Sequence, residues 1–141
     1  MTPEAMKAHL AAFFDEVWNR RDLMRLERYI APVYKIRSDP GDPWDGKSLT
    51  RAEFAERLTV SCAPFPDQKF TILDLIVEGE RLVVDWRWAG THLADLPGFP
   101  ASGKAVKISG LTIYDFENGL LSGHRQQADR LSVLQQLMAK G

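Results

Sequence analysis

Cysteine is nearly absent: Cys62 stands alone in 141 residues. No intrachain disulfide can form, which fits a reducing compartment and suggests the cytoplasm. Histidine is scarce too. His9, His92 and His124 are scattered, and with one cysteine they offer no metal-ligand spacing, so no zinc or iron site is expected. Charge of one sign is not in excess, with 18 Lys and Arg against 19 Asp and Glu. A nucleic-acid binder usually carries a basic surplus or stripe, and that class is set aside. No apolar run approaches the roughly 18 residues that span a bilayer, and MTPEAMKAHLAAFF mixes acid and base where a signal peptide needs a clean apolar core. There is no G-x-G-x-x-G opening a helix, no Walker sequence and no G-x-S-x-G elbow.

What is present is the composition of one ordinary globular domain spanning residues 1–141, with 45% hydrophobic and 26% charged residues. Met6, Leu10, Phe13, Phe14, Val17 and Trp18 form one helical stripe, with Thr2 as cap and Pro3 at the first helical position. Asp22 can cap a second short helix carrying Leu23, Leu26, Tyr29 and Ile30, which Pro32 stops. An extended piece, Val33 to Arg37, leads into a loop dense in breakers from Asp39 to Gly46. Thr50 and Glu53 make a capping box for a third helix through Phe54 and Leu58, ending near Cys62.

After Asp67 the period falls to 2. One strand runs from Phe70 to Leu75 and beyond, and Leu82, Val84, Trp86 and Trp88 share one face of a second. Lys104 to Phe116 and Leu120 to Asp129 make a third and fourth around an Asn118–Gly119 turn. Leu131, Leu134 and Leu137 suggest a closing helical turn or two. Helices followed by an antiparallel meander predict an α+β domain: a curved sheet wrapped over three N-terminal helices, a cone with a ligand pocket at its open end. The face bearing Thr71, Leu73, Leu75, Leu111 and Ile113 is apolar enough to suggest a homodimer packed through the sheet.

Several groups of residues are similar to the SnoaL-like polyketide cyclases of the nuclear transport factor 2 superfamily. They are Trp18–Asn19 before Asp22, Phe65–Pro66–Asp67, Gly90–Thr91–His92, Gly98 through Lys104, and Ala128–Asp129 followed by Leu134–Gln135–Gln136–Leu137. The resemblance covers nearly the whole chain. It implies a cone-shaped α+β barrel, commonly oligomeric, and a cofactor-free enzyme closing a ring on a polyketide ester by intramolecular aldol chemistry. It also implies an aspartate near the end of the last strand as acid and base, here Asp129. Arg125 stands where many relatives have Trp, and its guanidinium would favour an ionised carboxylate.

Two readings stand for each candidate. Asp129 is either a desolvated acid–base or the cap of the last helix. His92, sharing the parity of Trp86 and Trp88, is either a catalytic proton carrier or a histidine bonded to its loop. Arg125 and Gln127 share the parity of Asp129 and either hold a substrate oxygen or form a solvated strand face. Trp18, Tyr34 and Trp88 either line the pocket or belong to the core. His124 has the opposite parity and is expected to face a partner subunit or water. A non-catalytic small-molecule-binding module is the alternative function, and an epoxide hydrolase or isomerase of the same superfamily is the third. No membrane or nucleic-acid partner is expected.

Overall fold

The computed structural model describes residues 1–140. Thr2 caps α1 (Pro3–Phe13), its hydroxyl accepting from Ala5 N at 3.1 Å, with Pro3 at the first helical position. The helix then widens into a π-helical stretch, Phe14–Asn19, that keeps Phe14 and Val17 buried and carries Trp18 to the cavity described below. Asp22 makes no cap bond to the 3₁₀ segment Leu23–Arg28, and pairs instead with Arg25 at 2.8 Å. Pro32 does not end a helix. It lies inside β1 (Ile30–Ser38), in a stretch where the register with the neighbouring strand slips and a missing N–H is tolerated.

β2 (Ser48–Thr50), too short to leave a periodic signal, leads into α2 (Arg51–Cys62). The capping box forms as expected: Glu53 N donates to Thr50 Oγ1 and Thr50 N donates to Glu53 Oε1. β3 (Lys69–Glu78), β4 (Arg81–Thr91), β5 (Ala105–Glu117) and β6 (Leu120–Ala128) follow, and α3 (Arg130–Met138) closes the chain.

The six strands form one sheet in the order β2-β1-β6-β5-β4-β3, antiparallel throughout except where β1 runs parallel to β6. Its concave face packs Leu82, Val84, Trp86, Tyr114 and Leu121 against Leu10, Phe13, Phe54 and Leu58 of the helices, giving the α+β cone. A bulge between Ile72 and Asp74 shifts the parity of β3. Leu75 therefore packs against the core, and the exposed apolar residues of the outer face are Leu73, Ile76 and Leu111, a correction to the expected stripe. No helix among the described residues is long and apolar enough to cross a membrane.

Candidate functional site

In an antiparallel pair, residues directly opposite each other share a face. Tyr114 lies opposite His124, Thr112 opposite Gln126 and Gly110 opposite Ala128. Tyr114 and Thr112 are buried inside the cone, so His124 and Gln126 point inside with them. A cavity of about 520 Å³ lies between the sheet, α2, α3 and the loop at Gly41–Pro43. Trp18, Phe65, Phe70, Trp86, Trp88 and Ile108 supply apolar wall, and Arg57, Gln68, Gln126 and Arg130 gather polar groups at one side. An inner chamber of about 40 Å³, room for a water molecule or two, shares Trp18, Arg57, Phe70 and Gln126 with it and adds Tyr34, Tyr114 and His124.

The polar side is organised around Asp39, just past the end of β1 and 0% exposed. Its carboxylate accepts from His124 Nε2 at 2.9 Å, from Gln126 Nε2 at 3.2 Å, from Arg57 Nη2 at 3.3 Å and from Arg130 Nη2 at 2.9 Å. Burial alone would raise its pKa, but the His124 hydrogen bond and the Arg130 and Arg57 guanidiniums outweigh that and hold Asp39 below its ordinary range. His124 is pushed below 6.5, because burial and the nearby Arg57 cation prevail over the Asp39 contact. An ionised carboxylate can only accept, so the neutral imidazole carries its proton on Nε2. Its Nδ1 then accepts from the Tyr34 hydroxyl at 2.6 Å, and that hydroxyl is kept protonated by burial. The result is a directed chain: Tyr34 to His124 to Asp39.

Arg57 also pairs with Asp42 at 3.0 Å and lies 5.8 Å from the ring centres of Trp18 and Phe54. Its Nε is buried with no partner, which is costly unless a ligand oxygen or water meets it. Arg130 reaches the same cluster from α3 and donates to Pro40 O at 2.7 Å. Gly41 makes room for it: the residue has φ +92°, and a Cβ there would sit 2.7 Å from Arg130 Cδ. Two cations and two anions, Arg57, Arg130, Asp39 and Asp42, therefore balance beside an apolar cavity.

The aromatic walls are braced. Trp86 Nε1 donates to Thr112 Oγ1 at 2.9 Å, and Thr112 donates onward to Gln126 Oε1 at 2.7 Å, leaving the Gln126 amide nitrogen for Asp39. Trp88 Nε1 donates to Gln68 Oε1 at 2.6 Å, and Gln68 Nε2 to Trp18 O at 2.6 Å.

The profile of the SnoaL-like polyketide cyclases matches residues 8–137. The chain belongs to this family. A crystal structure of a candidate polyketide cyclase from Acidithiobacillus ferrooxidans is 45% identical, with TM-score 0.91 over 94% of each chain. IdmH of Streptomyces antibioticus, described as a candidate polyketide cyclase, is 25% identical with TM-score 0.80 over 95% of this chain and 99% of its own. TsrD of Streptomyces laurentii, 22% identical with TM-score 0.82 over 99% of both chains, shares the fold. No curated protein matches this SnoaL-like chain.

Of the residues singled out in the sequence, Trp18 and Trp88 line the cavity and Tyr34 the inner chamber. Asp129 is the N-cap of α3, its carboxylate accepting from Ser132 N at 3.1 Å, and it borders shallow grooves on the outer face of the sheet. Arg125 and Gln127 share its parity as expected, but that parity points outward: Gln127 borders an outer groove and Arg125 is exposed. His124, expected to face outward, is buried inside, because β6 is registered by Tyr114 and Thr112. His92 is fully buried with Nδ1 2.9 Å from Ser102 Oγ, packed on Phe65 behind the cavity wall. Sequence reasoning passed over Asp39, Asp42, Arg57 and Gln126. Arg57 carried a signal: it falls on the helical stripe of Phe54, Leu58 and Cys62, where a charge needs a buried partner.

Proposed function

We propose that this protein is a cofactor-independent cyclase that binds an oxygenated, largely apolar small molecule in the cavity and closes a ring by intramolecular aldol chemistry, with His124 as its proton carrier. The observation that supports this reading best is the buried Tyr34–His124–Asp39 chain, whose Tyr34 and His124 line the inner chamber that shares Trp18, Arg57, Phe70 and Gln126 with the cavity. A carbon flanked by two carbonyls, presented at the inner chamber, gives its proton to the Tyr34 oxygen as Tyr34 passes its own proton to His124 Nδ1. The electron pair moves onto a carbonyl oxygen, where the free Arg57 Nε–H meets it. The enolate carbon then attacks a third carbonyl of the same molecule, forming the new C–C bond, and the resulting alkoxide takes a proton from Tyr34, which recovers its own from Nδ1. Asp39 stays ionised throughout and stabilises the imidazolium. No atom is gained or lost.

Asp129 then serves as a helix cap, and the exposed Leu73, Ile76 and Leu111 beside Asp85 and Arg87 support a homodimer through the outer sheet face. The single cysteine favours a reducing cytoplasm. The alternative, a module that binds without transforming, is favoured by the full set of donors already committed to Asp39. Incubation with an anthraquinone bearing a β-keto ester side chain separates the two. The enzyme converts it to an isomer of equal mass but altered chromatographic retention, faster than buffer does. Recovery of the bound probe unchanged supports the binding module.

A further inference from the structure

On β4 and β5, Trp86 lies directly opposite Gly110, and its indole rests on the bare backbone there. A Cβ at Gly110 would come within 2.6 Å of Trp86 Cε2 and closer still to Cζ2 and Cη2. Contacts under 3.0 Å are essentially never seen, so the ring would have to move by about an ångström. The indole is 2% exposed, reaches the cavity only at its edge, and packs edge-to-face on Phe70, another wall of the cavity, at 5.1 Å between ring centres. Displaced from the sheet, the ring shifts the cavity wall at its own edge and through Phe70. Gly110 has an ordinary φ, so the missing side chain, and not backbone freedom, is what the position contributes.

The geometry points to Gly110 as a specificity-determining residue: by letting Trp86 lie flat on the sheet, it sets the width of the cavity and so the size of ring system the cavity admits. This rests on the cavity being the ligand site. The Trp86 position also bears on the polar side, because its indole N–H anchors Thr112 and through it the Gln126 amide that faces Asp39. Any residue larger than glycine narrows the slot and breaks the first of these bonds, whatever chemistry follows.

Equilibrium dialysis of the wild-type protein and Gly110→Ala against 2-naphthol and 1-hydroxyanthraquinone tests this without turnover. Gly110→Ala is expected to weaken the three-ring probe about tenfold or more while changing the two-ring probe by less than about twofold, the penalty of an overpacked wall. Equal weakening of both probes, or no change in either, overturns the inference. The Trp86→Phe change removes the colliding atoms. The double variant Gly110→Ala/Trp86→Phe should therefore regain both the urea midpoint and the three-ring binding of Trp86→Phe alone. A double variant as impaired as Gly110→Ala also overturns it, and this comparison holds even where Gly110→Ala does not fold. Loss of the Trp86 indole N–H protection from exchange in Gly110→Ala reads the wall directly. Wild-type protein that binds neither probe overturns the inference together with the cavity-binding reading. Binding without conversion of a β-keto ester removes only the catalytic reading.

Discussion

Replacing Asp39 with Asn removes one charge from a buried, balanced group of four. Arg57 is 4% exposed and Arg130 is tied to the same carboxylate, so Asp42 is left to neutralise two guanidiniums. The Asn amide nitrogen also has to face donors on at least one side, since His124, Gln126, Arg57 and Arg130 all donate to this position. Breaking a buried ion pair by deleting one partner costs about 3–5 kcal/mol, against a total stability of about 5–15 kcal/mol for a domain. With a urea slope of about 1–3 kcal/mol per molar, the midpoint should fall by about 1 M or more. Adding Arg57→Met to Asp39→Asn restores the charge balance, and the double variant should be more stable than Asp39→Asn alone. Urea unfolding followed by tryptophan fluorescence and circular dichroism measures all four corners of this cycle. A loss under about 1 kcal/mol for Asp39→Asn, or a double variant weaker than the single, would refute the buried-charge reasoning.

Stability should also depend on pH in one direction. The folded pKa of His124 lies below 6.5, so the unfolded chain binds the extra proton first, and stability falls as pH drops below about 6.5. Asp39, also depressed, adds a second loss below about 3.8; His124→Gln should flatten the upper part of this profile, read as thermal midpoint against pH. Asp129→Ala should lower stability by about 1 kcal/mol through loss of the α3 cap and leave cavity binding unchanged, as unfolding and dialysis would show. Leu111→Glu places a charge in the exposed apolar outer face and should yield a monomer by sedimentation, whereas a wild-type monomer at micromolar concentration would contradict the proposed dimer.

The elements that speak plainly in the sequence are those whose patterning has one cause. The Thr50–Glu53 box and the alternation from Leu82 to Trp88 follow from local hydrogen bonding and from burial of one face, and both stand in the structure. β6 does not speak plainly, because two of its inward positions are His124 and Gln126: between Leu121 and Ala128 the polar side of the cavity replaces the apolar residues that would mark its inner face. Parity placed Arg125, Gln127 and Asp129 together correctly, but only the pairing of His124 with Tyr114 tells which way they face. Asp39 was hidden for a different reason. Among Pro40, Gly41, Asp42 and Pro43 it reads as a turn residue, and its burial depends on Arg57 and Arg130 arriving from helices 18 and 91 residues further on.

In the proposed cycle His124 stands ready as a base, with Nδ1 free of a proton and Nε2–H directed at Asp39. Nitrogen-15 NMR of histidine-labelled protein at neutral pH, with His124→Gln as the assignment control, measures this without any choice of substrate. A single neutral tautomer protonated on Nε2, persisting as the pH is lowered below 6.5, is expected. An imidazolium, or a tautomer protonated on Nδ1, would leave no lone pair on Nδ1 and would contradict it.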